Sequence, residues 1–170
     1  IHGVMNTDNT SISGETIDYG PCAFMDHYDP NRVFSYIDNF GRYSYINQGK
    51  IMLWNLSKFA ESLVPLLDSD FEVSKVIATN CLKKFPEKFE YLWLKEVRKK
   101  FGLRKNKIED EKIINDFFEI IKAENLDFTM SFRNLSKIVR NEKCQFLNNN
   151  SKNIGIFNEW VKNWKVRIES

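Results

Sequence analysis

Residues 2–21 read HGVMNTDNTSISGETIDYGP, and the fold turns on how this stretch is read. Two short polar clusters stand in it, NTDN (6–9) and IDYG (17–20). Thr10–Ser13 and Thr16–Asp18 flank Gly14, which predicts a tight hairpin of two short strands around a glycine turn. Asn9 then sits just before the first strand and Asp18 at the end of the return strand, so both side chains meet at one end. Asp8 adds a carboxylate to the same corner. Hard oxygen donors grouped this way suit Mg²⁺, which fills its remaining positions with water and substrate phosphates. Asp and Asn also favour turns and caps. From the residues alone, a turn and a metal site are both open.

The spacing also matches a known pattern. Protein kinases carry a loop H-R-D-x-x-x-x-N followed by D-F-G. His2 and Asn9 stand at the ends of that loop pattern, and Asp18-Tyr19-Gly20 stands in place of D-F-G. Val4 holds the position of the kinase catalytic Asp. A valine side chain neither accepts a proton nor positions a hydroxyl, so by the kinase criterion this is a pseudokinase loop. His2 is read as a buttress that hydrogen-bonds within the loop.

Three stretches make a more specific match: HGVMNTDNTSISGETIDYGPCAFMD (2–26), GRYSYINQGKIMLWNLSKFAESLVPLL (41–67) and DFTMSFRNLS (127–136). They resemble the selenoprotein O family, also called the YdiU family. The match is close over residues 2–67 and thinner beyond. The resemblance implies a protein-kinase-like fold and protein adenylyltransferase activity: AMP moves from ATP, bound in a flipped orientation, to hydroxyl side chains of proteins. It implies that Asp8 is the proton acceptor, which makes Val4 no sign of a dead site. It implies that Asn9 and Asp18 hold Mg²⁺, with Asp18 also beside the nucleotide phosphates. Bacterial members are also associated with UTP and Mn²⁺. The family's small lobe, with its glycine loop, Lys–Glu pair and arginines, does not match any part of the 170 residues. Nor does its C-terminal tail with a redox-active Cys or selenocysteine. The expectation is therefore an incomplete large lobe, inactive by itself. The competing readings are ordinary phosphotransfer to protein hydroxyls, UMP transfer with Mn²⁺, and a non-catalytic pseudokinase interaction module.

Beyond the opening stretch the pattern becomes helical. Ile51, Leu53, Trp54, Leu56, Phe59, Ala60, Leu63 and Leu66 recur at three- and four-residue steps. Asp68 and Ser69 read as a stop and a fresh N-cap. Further helices are predicted at about 70–84, 86–101, 109–124, 128–140 and 155–168. Pro86 suits a first turn and Gly102 a C-cap. The last helix carries Phe157, Trp160, Val161 and Trp164 on one face. NEKCQFLNNNSKN (141–153) reads as a polar loop, with a short compositional asparagine run at 148–150. The predicted class is mainly α (α+β): a protein-kinase-like large lobe with a short β-hairpin at the catalytic and metal loop, and the small lobe missing. Residues 1–46 form the catalytic and metal-binding loop region and 47–170 a helical bundle of the same partial domain.

Composition limits the partners. Residues 1–70 hold 4 Lys+Arg against 9 Asp+Glu, and residues 71–170 hold 21 against 14. An acidic front half suits metal binding. The basic charges of the rear half are interleaved on helical faces, the usual solvated pattern, and no nucleic-acid recognition module accompanies them. No apolar run is long enough to span a membrane. Cys22, Cys81 and Cys144 are scattered and odd in number, which is neither a disulfide framework nor a metal spacing. They fit a reducing compartment: cytoplasmic in a bacterium, mitochondrial in a eukaryote. The expected partners are ATP and protein substrates with hydroxyl side chains, without nucleic acid or membrane. Among the remaining residues, Asp26, Asp29 and Asp38 read as loop caps and Arg42 and Gln48 as loop-fixing hydrogen-bonders. His27 reads as a surface or packed histidine, and Cys22 as a small buried residue or a regulatory thiol. Tyr28, Phe34, Tyr36, Phe40, Tyr43 and Tyr45 are expected to pack rather than face water.

Overall fold

The computed structural model describes residues 1–16, 18–147 and 151–170. It is mainly helical, with six helices among the described residues: α1 (Gln48–Leu67), α2 (Phe71–Leu82), α3 (Phe85–Lys100), α4 (Asp110–Ala123), α5 (Phe128–Val139) and α6 (Ile154–Glu169). Each matches a helix predicted from apolar periodicity to within a residue or two. The asparagine run 148–150 lies outside the described residues. The chain divides into two compact units. One comprises Ile1–Phe24 and Pro30–Tyr91, the other Met25–Asp29 and Leu92–Ser170, so the division falls within α3.

Helix ends follow local chemistry. The cap of α2 is Asp70, whose Oδ1 accepts from the Glu72 and Val73 N–H groups. The predicted Asp68 acts one step earlier, accepting from the Asp70 N–H. Gly102 ends α3 as predicted, at φ +71°. Its N–H bonds Lys99 O while the Leu103 N–H bonds Arg98 O, the paired closure of a Schellman motif. Asn125 and Asn141 close α4 and α5 by the same pair of bonds, since Asn tolerates the left-handed region better than most residues.

In the first unit α1 packs on α2. At the start of α1, Gly49 lies under the Phe89 ring, and a Cβ there would stand 2.7 Å from Phe89 Cε1. Exchanging Gly for Ala inside a helix normally gains up to about 1 kcal/mol. Here Gly49→Ala is expected to lose about 1 kcal/mol instead, because the ring must move off its stack with Phe85. Urea denaturation of the variant gives the sign.

The first unit departs from expectation in its apolar residues. Of the α1 series only Ile51 is buried, while Trp54, Phe59 and Leu66 are exposed. Tyr36 and Phe40, expected to pack, are 101% and 97% exposed. Turn-forming residues around them, with Asp38 accepting from the Arg42 and Tyr43 N–H groups, hold this segment by backbone bonds rather than by ring burial.

The second unit carries the continuous core. Phe101, Ile114, Phe117, Ile121, Leu135, Phe157, Trp160 and Trp164 are buried together. Phe101 meets Phe117 edge-on at 5.0 Å and 87°. Each buried indole finds an acceptor: Trp160 donates to Ile113 O and Trp164 to Phe101 O, as buried polar ring atoms require. The aromatic face predicted for α6 is the one buried, with Val161 packed partly against it. Within this core lies one charge cluster. Asp110 is 0% exposed and takes 2.7 Å hydrogen bonds from both Arg98 Nε and Arg167 Nε. The Lys107 N–H adds a third bond.

Candidate functional site

The predicted hairpin is not seen among the described residues of the opening stretch. No strand ladder joins 10–13 to the described part of 16–18, and Ile17 lies outside the described residues. Hydroxyl side chains take over the local bonding instead. Ser11 Oγ and Ser13 Oγ pair at 2.7 Å, and Ser11 Oγ and Ser13 Oγ accept from the Ser13 and Glu15 N–H groups. Such side-chain bonds compete with a ladder. The loop is closed lower down. Gly3 N–H donates to Pro21 O, Ala23 N–H donates to Ile1 O, and His2 bridges Cys22 in antiparallel fashion.

The NTDN cluster is a capped 3-10 turn over Thr7–Asn9. Asn6 Oδ1 accepts from the Asn9 N–H, and Thr10 Oγ1 donates to Asn6 O. Turn chemistry and a site are therefore not exclusive here, because the turn is what presents Asp8 and Asn9. The Asn9 amide is oriented by Nδ2 donating to Val4 O at 2.8 Å. Val4 O can only accept, so Oδ1 is fixed as the outward atom, and among the described residues no donor reaches it. Asp18 Oδ1 accepts from the Gly20 N–H at 2.8 Å. A Cβ at Gly20 would come within 3.0 Å of that oxygen, so glycine gives the carboxylate room. Asp8, Asn9 and Asp18 line one cavity of about 300 Å³, together with His2 and Met52.

Three hard oxygen donors, two of them anionic, fit Mg²⁺ or Mn²⁺. Among the described residues no group of three His, Cys, Asp or Glu forms a metal cluster by itself.

His2 serves the loop. Its Nδ1 accepts from the Val4 N–H, which requires the unprotonated nitrogen. Burial is the main cause that holds its imidazole below the usual range, and Asp18 opposes it.

Two residues of α1 anchor this loop. Gln48 Nε2 donates to His2 O, as expected of a loop-fixing residue. Asn55 Nδ2 donates to Met5 O and to Thr10 Oγ1, a role sequence reasoning missed. The available signal was an amide at the i+4 step from Ile51, in line with the apolar series of the helix. Arg42 instead lays its guanidinium over the Trp54 ring at 4.5 Å. Cys22 is exposed, contrary to the buried reading, because the bridge to His2 holds it at the loop's edge. His27 is at the surface, as one of its two readings had it.

The whole chain, residues 1–170, matches the family described as protein adenylyltransferase SelO. It is 47% identical over 168 residues to a protein nucleotidyltransferase YdiU of Clostridium botulinum (strain Eklund 17B / Type B), covering 99% of this chain and 33% of that protein. It is 45% identical over 168 residues to the protein of the same name from Bradyrhizobium diazoefficiens, covering 99% of this chain and 34% of the relative. For the one from Anoxybacillus flavithermus the identity is 46%, with 99% and 33% covered. The chain spans about a third of the length of these curated relatives. The resemblance carried by the opening motif holds over the full chain, and the chain belongs to the protein adenylyltransferase SelO family.

Proposed function

We propose that this chain supplies the base and metal-ligand loop of a kinase-like large lobe that transfers AMP from ATP to Ser, Thr or Tyr hydroxyls of proteins. What supports this is the shared cavity of Asp8, Asn9 and Asp18, read together with family membership. The Asp8 carboxylate takes the proton of the incoming hydroxyl as its oxygen attacks the α-phosphorus of ATP. The bond to pyrophosphate breaks, and AMP remains on the protein oxygen. Asn9 and Asp18 are the residues that hold Mg²⁺ or Mn²⁺. Bound there, the metal offsets negative charge on the α-phosphate. The Asn6 cap and the Gln48 and Asn55 anchors keep Asp8 and Asn9 in place while the substrates come and go. The relatives' activity belongs to chains about three times as long, so the reaction is assigned to the full-length family polypeptide carrying this segment. Among the described residues no helix is long and apolar enough to cross a membrane.

Labelled ATP tests the reading. Incubation of the full-length polypeptide with acceptor protein is expected to transfer label from the α-phosphate and none from the γ-phosphate. Transfer from the γ-phosphate alone would make it a phosphotransferase. Label from the α-phosphate of UTP in preference to ATP would make it a uridylyltransferase.

A further inference from the structure

The turn that carries Asp8 and Asn9 has no buried residue of its own, so hydrogen bonds rather than packing must hold it. They lead to one side chain of α1. Asn55, only 3% exposed, donates from Nδ2 on both sides of the turn, to Met5 O at 3.2 Å and to Thr10 Oγ1 at 2.8 Å. The Thr10 hydroxyl has a single proton, and that proton goes to Asn6 O at 2.9 Å. The chain of bonds therefore runs from Asn55 to Thr10 to Asn6, the cap that receives the Asn9 N–H. The buried amide also carries a cost. Its Oδ1 has no hydrogen-bond partner among the described residues, and an unpaired buried acceptor is unfavourable. What the position gains is the two donated bonds. Thr10 lines the same cavity as Asp8, Asn9 and Asp18, but its hydroxyl already donates and accepts within the loop, so it acts through the turn rather than on a substrate.

We propose that Asn55 and Thr10 are positioning residues for the metal-ligand turn, which set where the outward Asn9 Oδ1 stands relative to the Asp18 carboxylate. Met5 and Thr10 flank residues 6–9, so one buried amide fastens both ends of the segment. Release of either end lets the turn shift as a body. Mg²⁺ demands near-ideal octahedral geometry, so a shifted ligand is a weakened one. Outer partners that orient metal ligands are commonly worth about 10–100-fold in affinity or activity. The inference rests on the metal role proposed for Asn9 and Asp18, and not on which nucleotide is transferred.

The test uses three variants of the full-length family polypeptide carrying this segment. Thr10→Val keeps the branched shape and removes the hydroxyl, Thr10→Ser keeps the hydroxyl, and Asn55→Leu removes both donated bonds. Mn²⁺ affinity is read from the EPR signal of the free ion, beside thermal unfolding and the Mg²⁺ concentration for half-maximal transfer. Thr10→Val and Asn55→Leu are expected to weaken Mn²⁺ binding about 10-fold and to raise the half-maximal Mg²⁺ concentration by a similar factor, with KM for the acceptor protein unchanged. Thr10→Ser is expected to recover most of the loss. A merely structural role lowers Tm and the amount of active protein, but leaves the affinity of each folded molecule as it was. Native Mn²⁺ affinity in folded Thr10→Val would overturn the proposal, even where Asn55→Leu fails to fold. Thr10→Ser binding as weakly as Thr10→Val would overturn it too, since the hydroxyl is then not what matters. A native polypeptide that binds no Mn²⁺, or binds it undiminished after Asp18→Ala, would overturn the metal reading and this inference with it, so the two failures are told apart.

Discussion

Asp110→Ala is expected to destabilise the chain by about 3–5 kcal/mol, the usual cost of breaking a buried ion pair from one side. Stability of a whole domain is on the order of 5–15 kcal/mol, so the loss takes a large share of it. The cost comes mainly from what is left behind. Arg98 and Arg167 are buried at the positions where Asp110 receives both, and without it two like charges face one another out of water. Arg167 also donates to Lys105 O, which holds it in place rather than letting it swing to solvent. Urea denaturation followed by Trp160 and Trp164 fluorescence measures the loss. Replacing Arg98, Asp110 and Arg167 together by Met, Leu and Met is expected to recover most of it, because paired charges and well-packed apolar groups are close in free energy. A triple variant as unstable as the single one would show that the lost attraction, not the orphaned charge, is what matters.

The same cluster fixes a pH dependence. Burial alone raises the Asp110 carboxyl pKa. The hydrogen bonds from the Lys107 N–H, Arg167 and Arg98, with the Arg167 charge, outweigh it and hold the carboxyl below its usual range. A carboxylate depressed in the folded state stabilises it fully above the unfolded pKa, about 3.9. That contribution disappears as pH falls through the lower folded value. Acid unfolding of the native chain is therefore expected to steepen below about pH 4, and Asp110→Asn to remove that steepening.

How much of this could be read from the residues depends on distance along the chain. Helix ends are local, so Pro86, Gly102 and the apolar steps of α6 were sufficient to place α3 and α6. The opening loop was legible as a family signature because its motif is long, yet not as a conformation. Thr10–Ser13 beside Gly14 reads as a strand entering a turn, but its hydroxyls bond locally. The Asp110 cluster was invisible for the opposite reason. In sequence Asp110 is one of the acidic residues in the first turn of a helix, where the helix dipole already explains it. Its partner Arg167 lies 57 residues away. Asn55 is not legible in the same way, because the apolar period of α1 carries no mark of a buried amide. Tyr36 and Phe40 show the limit of composition: ring count sets how much apolar area exists, and topology decides where it is covered.

Asp8→Asn in the full-length family polypeptide is expected to lower kcat for AMP transfer by about 10²–10⁴-fold, the range for removing a positioned general base. KM for ATP should change little, since the role proposed for Asp8 is on the acceptor hydroxyl. Asn keeps the shape of the side chain and the 3.4 Å contact from Thr7 Oγ1, but it cannot take a proton. Asp18→Asn is expected to fail differently. Its amide oxygen still accepts from the Gly20 N–H, as Oδ1 does now, so the turn survives. The anionic oxygen is lost, and Mg²⁺ prefers carboxylate among side-chain ligands. The Mg²⁺ concentration for half-maximal rate should therefore rise along with KM for ATP. Neither carboxylate is buried, so thermal unfolding should be close to unchanged in both variants. That contrast is what separates a working site from a remnant one. If both variants transfer AMP at the native rate, Asp8 and Asp18 are turn residues, and the segment is an interaction module that keeps only the outline of a catalytic loop.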